Sequence, residues 1–413
     1  MKKRIAVVGS GIAGLTTAYY LSRKHQVTLF EADQRLGGHT HTVQVEWQGE
    51  QSVIDTGFIV FNDRTYPGFI RLMDELGVDY QPSEMSFSVT NPTLGLEYNG
   101  NNLSSLFAQR RNLVSADFWG MLVDIVRFNR QVRKAAIESP AGTTLGEFLD
   151  RQSYGGLFID NYLLPMISAI WSADLEQTRE FPLLFFVRFF ENHGLLNLVD
   201  RPQWYTIKGG SSSYIEPLTA PFKEGIRLGA GVKTIRRHAD TVKVATAEQE
   251  LDFDEVVLAC HGDQALQMLA EATADEQRTL GAFRFTANDV ILHTDRRWLP
   301  QNPRARASWN YHLRQPGQGR STVTYYMNRL QCLDRQHDYL VTLNEDIPEE
   351  SIIGRYQYDH PIFDLEAVNA QHQWSKISGT DRIHYCGAWW HNGFHEDGVQ
   401  SALRVCAALG VTP

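Results

Sequence analysis

The chain has 413 residues, 43% of them hydrophobic and 21% charged, with a formal net charge of −9. That length exceeds one ordinary core and predicts two domains of globular composition. The acidic balance argues against a nucleic-acid partner: Arg110-Arg111 and Arg236-Arg237 are only pairs, too sparse for a phosphate backbone.

The start, Met1-Lys-Lys-Arg, is basic, but only residues 5–8 are apolar before a glycine. That is too short for the apolar part of a signal peptide. No stretch approaches the ~18 apolar residues of a spanning helix. A cytoplasmic protein is expected, with room for peripheral contact at the inner face of a membrane.

Residues 5–8 read as a strand, Gly9-Ser-Gly11-Ile12-Ala13-Gly14 as a tight turn into a helix, and residues 27–30 as a second strand ending at Glu31. Gly9 suits the turn, Gly11 leaves room for a pyrophosphate, and Gly14 lets the helix pack on the strand. The helix N-terminus at Ile12 and Ala13 aims free N–H groups at the phosphates. Glu31 is placed to accept hydrogen bonds from ribose hydroxyls. The unit predicts dinucleotide binding.

Further along, residues 53–61 read as a strand interrupted by Gly57, which marks close approach of a ligand. Residues 66–76 have helical apolar spacing; 87–89 and 97–98 read as strands. From 115 to about 196 the pattern is mostly helical, with a capping box at Thr144-Leu-Gly-Glu147. Residues 181–190 hold five phenylalanines and two leucines around Arg188, a run suited to the core or to an acyl chain. Strands are expected at 226–235, 241–246, 254–259, 290–293, 307–312 and 323–327. The four cysteines (260, 332, 386 and 406) form no local pair and are expected as buried free thiols. No metal site is expected, because Gly393 separates His391 from His395.

The extension Glu31-Ala32-x-x-x-x-Gly37-Gly38-His39-Thr40 resembles the FAD-binding opening of the amine oxidase, phytoene desaturase and protoporphyrinogen oxidase superfamily. The closing segment Gly387-Ala, then Gly393-Phe394-His395-Glu396-Asp397-Gly398, resembles that superfamily's last strand and helix. Tyr205-Thr-Ile-Lys208-Gly209-Gly210-Ser211 resembles its Gly-Gly turn. The resemblance implies an α/β fold: a Rossmann-like FAD-binding domain built from three segments (1–75, 205–284 and 375–413), plus a mixed-sheet and helical substrate domain (76–204 and 285–374, helical at 115–200). FAD contacts are then expected at Gly9, Gly11, Ile12, Ala13, Gly14, Glu31, Ala32, Gly37, Gly38, His39, Thr40, Thr56, Gly57, Phe58, Val232, Gly387, Phe394, His395, Asp397, Gly398 and Val399.

Gly229-Ala-Gly231 lacks a third glycine, so no second fingerprint for a nicotinamide cofactor is present. The substrate itself is expected to reduce the flavin. Amine oxidases of the superfamily often carry a lysine near the flavin, where Asn288 falls here, and a tyrosine where Phe394 stands. Both departures count against amine chemistry. The closing motif, Asp55-Thr-Gly-Phe58 and Trp309-Asn-Tyr-His312 resemble bacterial flavoproteins encoded beside cyclopropane-fatty-acid-synthase-like methyltransferases, including the methylated-fatty-acyl desaturase of furan fatty acid biosynthesis. This implies removal of two hydrogens from a methyl-branched lipid acyl chain, with such a methyltransferase as a neighbour. His395 and Glu396 are the candidate catalytic groups. His395 also suits orienting the flavin, Glu396 and Asp397 also suit helix capping, and His261 is expected to be structural. The alternatives are an amine oxidase and a non-catalytic flavin-binding accessory of a lipid-modifying methyltransferase.

Overall fold

In the computed structural model, which describes residues 2–140, 142–171, 175–197, 201–314 and 322–412, the strand Arg4–Val8 is buried along its last four residues. It is the middle of a five-stranded parallel sheet. The order is Ile226–Arg227, Gln26–Phe30, Arg4–Val8, Glu255–Leu258, Ile383–Tyr385. Both faces are covered, which is why residues 5–8 and 256–258 at its centre read as unbroken apolar runs. Ile5, Val7, Leu29 and Val257 face one cluster; Ala6, Val8, Phe30, Val256 and Leu258 face the other. The order reverses direction between Arg4–Val8 and Glu255–Leu258. Such a switch point opens a crevice at the carboxyl ends of the strands.

The helix Ile12–Ser22 follows the first strand and packs on the closing helix His395–Ala408. A Cβ on Gly398 would lie 2.6 Å from Ile12 Cγ2, so the small residue sets how closely the helices approach. The strand expected over 226–235 is two strands. Ile226–Arg227 edges the parallel sheet, and Thr234–Arg237 begins an antiparallel meander with Val242–Ala245 and Glu250–Phe253. Gly229, with φ of 62°, turns the chain between them.

A seven-stranded mixed sheet runs in the order Ile352–Ile362, Arg284–His293, Leu340–Leu343, Thr322–Tyr326, Trp309–His312, Phe87–Asn91, Leu96–Asn99. Its one parallel pairing joins Trp309–His312 to Phe87–Asn91. Helices Ala116–Glu138, Leu145–Asp150, Leu164–Trp171 and Leu183–Asn192 contribute to the large core shared with this sheet. Ser115 caps the first of them through the Phe118 N–H. Thr144 and Glu147 form the expected capping box. All four cysteines are free; Cys386 and Cys406 are buried as expected, but Cys260 is half-buried and Cys332, just after the short helix Met327–Leu330, is exposed.

Candidate functional site

Three glycines of the first turn do different work. A Cβ on Gly9 would lie 2.9 Å from the Ala259 carbonyl oxygen, and its φ of +101° is left-handed, so only glycine turns here at low cost. A Cβ on Gly14 would lie 1.9 Å from the Gly9 oxygen and would push the helix off the strand. A Cβ on Gly11 would meet no atom within 4 Å. Gly11 faces open space at the N-terminus of Ile12–Ser22, where unpaired N–H groups and the helix dipole favour an anion.

Glu31 stands at the end of the second strand. Its carboxylate accepts from the Ser10 N–H at 2.9 Å, the Ser10 hydroxyl at 2.5 Å and the Asp33 N–H at 2.9 Å. The second glycine loop is laid against the first: a Cβ on Gly38 would lie 3.0 Å from Gly11 Cα. Arg35 holds that loop through the carbonyls of Gly38 and Thr40. Gly57 lies so close that its Cβ would sit 2.0 Å from the His39 oxygen.

A cavity of about 440 Å³ begins at this crevice and runs between the parallel sheet and the seven-stranded sheet. Among the expected cofactor contacts, Gly11, Ile12, Ala13, Gly37, His39, Thr56, Gly57, Phe58, Gly387, Phe394 and His395 line it. Gly9, Gly14, Glu31, Ala32, Gly38, Thr40, Val232, Asp397, Gly398 and Val399 stand behind or beside that wall. Val232 follows Gly231, whose Cβ would lie 3.3 Å from Ala32 Cβ, and so stands near the Glu31-Ala32 corner.

His395 opens the last helix. Its ring stacks on Phe58 with centroids 3.4 Å apart. Its Nε2 lies 3.0 Å from the Thr40 hydroxyl and 3.4 Å from the Tyr214 hydroxyl, and Thr40 and Tyr214 bond each other. Burial, with the charge of His39 second, holds the imidazole well below its usual pKa, so it is neutral at pH 7. Tyr214 reaches this point because Asp55 anchors the Gly-Gly turn, accepting from the Ser211 N–H at 2.9 Å and the Ser211 hydroxyl at 2.9 Å.

Glu396 does not line the large cavity. Its two oxygens accept from the N–H groups of Gly68 and Phe69 at 3.0 and 2.8 Å, capping the helix Pro67–Leu76. Asp397 caps its own helix through the Phe394 N–H at 2.9 Å, and burial pushes its carboxyl up to about 7.

Sequence reasoning missed a group of imidazoles on the cavity wall. His39 lies 6.3 Å from His261 and 5.6 Å from His360, between ring centroids. All three line the cavity. His261, expected to be structural, stacks on Phe285 at 4.1 Å. Asn288, buried, donates to His360 Nδ1 at 2.9 Å and accepts from Asn344 at 2.9 Å. His360 therefore carries its proton on Nε2. His39 Nε2 lies 3.1 Å from the Asp359 carbonyl, which can only accept, so the His39 proton is on Nε2 and Nδ1 keeps its lone pair. Burial drives His39 down to about 3 and His360 to about 4. The alternation Tyr356, Tyr358, His360 along the strand Ile352–Ile362 was the readable signal for this wall.

The far end of the cavity is apolar: Met85, Phe87, Tyr162, Met166, Ile170, Trp171 and Leu343 line it. Phe189 lines it too and stacks on Phe394 at 5.0 Å, while Phe186 and Phe190 of the same helix are core. Among the described lining residues, Asp359 is the only carboxylate and Arg201 the only permanent cation.

A switch-point crevice with an open Gly11, a carboxylate after the second strand and a cavity leading away fits a dinucleotide with a ring at its far end. The family model of flavin-containing amine oxidoreductases matches residues 12–410, and the chain belongs to that family. FAD is its cofactor. An L-amino-acid oxidase of Mus musculus is 23% identical over 329 residues, 71% of this chain and 48% of that protein. The chain spans about half or less of the length of the curated relatives it matches. Two solved structures share the fold, each at 15% identity and covering 99% of both chains: the cyclohexylamine oxidase of Brevibacterium oxydans, at a TM-score of 0.70, and the CLA-producing fatty acid isomerase of P. acnes, at 0.71.

Proposed function

We propose that this protein removes two hydrogens from an apolar substrate, a methyl-branched acyl chain of a lipid, leaving a further double bond. The observation that carries the reading is the cavity end walled by Met85, Phe87, Met166, Ile170 and Leu343, which rewards burial of a hydrocarbon and offers it almost no charge.

In this reading the turn Gly9–Gly14 and the N–H groups of Ile12 and Ala13 hold the pyrophosphate of FAD, and Glu31 with Ala32 and Val232 borders the ribose end. Gly37–Thr40, Thr56–Phe58, Gly387 and Phe394–Val399 border the rest. When bound, FAD supplies the acceptor for a hydride equivalent. The apolar walls orient the acyl chain and exclude water. His39, held at about 3 by burial, is too weak a base to keep the accompanying proton, so the proton leaves with the hydride equivalent to the bound cofactor. The His39 Nδ1 lone pair offers a hydrogen-bond acceptor on that wall. His395 positions the wall through Thr40 and Phe58, and Glu396 holds the neighbouring helix in place.

An amine substrate is the second reading. The rings of Trp309, Tyr325 and Tyr358 on the cavity wall could receive an ammonium group by cation–π attraction. The test is the lipid profile of cells with and without the protein, together with peroxide release on adding amines. An acyl chain lighter by two hydrogens only when the protein is present supports the first reading. Peroxide release with amines and an unchanged lipid profile supports the second.

A further inference from the structure

The large cavity reaches the surface beside apolar side chains that the fold leaves uncovered. Gly100 and Asn101, both exposed, form its wall at that end. The chain then enters the short helix Leu103–Leu106. Leu103 is 76% exposed, Val114 87% and Val123 63%, while Leu113 and Trp119 are about half exposed. These side chains form one patch. The Trp119 ring packs on Phe107 with centroids 5.5 Å apart, and its indole N–H donates to the Leu113 carbonyl at 3.0 Å. Val123 lies one turn beyond Trp119 on Ala116–Glu138. Leu103 lies one turn before Phe107, whose N–H it receives at 3.1 Å. Isolated exposed leucines are ordinary, but a contiguous patch marks an interaction site.

The charge around the patch runs against that of the chain. Of the six basic groups in residues 102–138, Arg127 and Lys134 pair with Asp124 and Glu138 and Arg133 pairs with Glu191, which leaves Arg110, Arg111 and Arg130 against Asp117 in a chain of net charge −9. Arg110 and Arg111 are exposed between Leu103 and Leu113. The Arg111 guanidinium bonds the carbonyls of Leu94 and Gly95 and the amide oxygen of Gln109, not a carboxylate. A second copy docking the same face would set these cations opposite one another. An anionic surface would satisfy them.

We propose that this patch docks on the anionic surface of a lipid bilayer and that an acyl chain passes from it into the cavity beside Gly100 and Asn101. Leu103, Val114 and Val123 enter the acyl boundary, Trp119 sits at headgroup level, and Arg110 and Arg111 meet lipid phosphates. No helix among the described residues is long and apolar enough to cross a membrane, so the contact is with the surface. The route into the cavity rests on the acyl-lipid reading above; the docking does not.

The test is cosedimentation of the FAD-loaded protein with phosphatidylcholine vesicles, with and without phosphatidylglycerol. The wild type should sediment with the anionic vesicles and much less with the neutral ones. The double substitution Leu103→Asp with Val114→Asp should reduce vesicle binding at least about tenfold, since it sets charge in the acyl boundary. Arg110→Gln and Arg111→Gln should each reduce it about fivefold. All variants should keep their flavin, and should be reduced by detergent-dispersed acyl lipid at the wild-type rate. A wild type that stays in solution, or substitutions that leave sedimentation unchanged, would overturn the proposal. So would a dimer that Val114→Asp dissolves in the absence of vesicle binding. Vesicle binding by a protein whose flavin no acyl lipid reduces would support the docking and contradict the substrate reading.

Discussion

The Thr40 hydroxyl lies 3.0 Å from His395 Nε2, tying the second glycine loop to the first turn of the last helix. Tyr214 closes on both, so three distant segments of chain meet at one hydroxyl. An imidazole held this way, and pressed on Phe58 at 3.4 Å, is fixed in orientation.

His395→Gln, which keeps a polar nitrogen toward Thr40, should slow substrate-dependent flavin reduction by less than about tenfold, against the roughly 10²–10⁴-fold of a lost general base. His395→Ala should instead shift the flavin spectrum and weaken cofactor affinity. Anaerobic single-turnover traces of both variants separate the roles. A general-base loss in both would contradict positioning.

Gly11→Val should fold normally without cofactor and fail to bind FAD, because its side chain fills open space that a pyrophosphate needs. Gly14→Ala should act on the fold itself, costing roughly 1–3 kcal/mol or more as overpacking, because its Cβ meets the Gly9 oxygen. Thermal unfolding of the cofactor-free proteins and flavin absorbance after reconstitution check the contrast.

Glu31→Ala should weaken FAD binding by about 1.5–3 kcal/mol, the worth of a hydrogen bond to a charged group. The same change strips the Ser10 and Asp33 N–H groups of their acceptor. Glu31→Gln keeps one acceptor and should fall between wild type and alanine. Equilibrium dialysis with FAD measures all three.

Much of this site was legible because its signals are local. The glycine turn is complete within Gly9–Gly14, Glu31 closes the very next strand, and the capping box needs only Thr144 and Glu147. The imidazole group was not, because His39, His261 and His360 come from three distant segments and meet only when the two sheets face each other. The strand Ile352–Ile362 was overlooked although Tyr356, Tyr358 and His360 alternate along it, since its charged and small residues mask the apolar period. The phenylalanine run at 181–190 divides between core and cavity, which composition alone does not reveal.

Acid should destabilise the protein. Burial holds His39 at about 3, and His193, His293, His360 and His391 at about 4. These folded values lie below the ordinary 6.5, so the folded chain binds fewer protons than the unfolded one. Their contribution is present above pH 6.5 and is lost as pH falls toward 4. Asp55 and Asp397, pushed up by burial to about 6 and about 7, gain stability over the same fall, but five imidazoles outnumber two carboxyls. Tm of the FAD-loaded protein should fall between about pH 6.5 and 4. A Tm that climbs on acidification would contradict the neutral imidazole wall.

The most direct test of the function is anaerobic mixing of the FAD-loaded protein with a methyl-branched unsaturated acyl lipid, followed by flavin absorbance and mass analysis of the lipid. The flavin should bleach in a single turnover, and the recovered acyl chain should be lighter by two hydrogens. A flavin that stays oxidised with every acyl lipid but bleaches with amines would contradict the account.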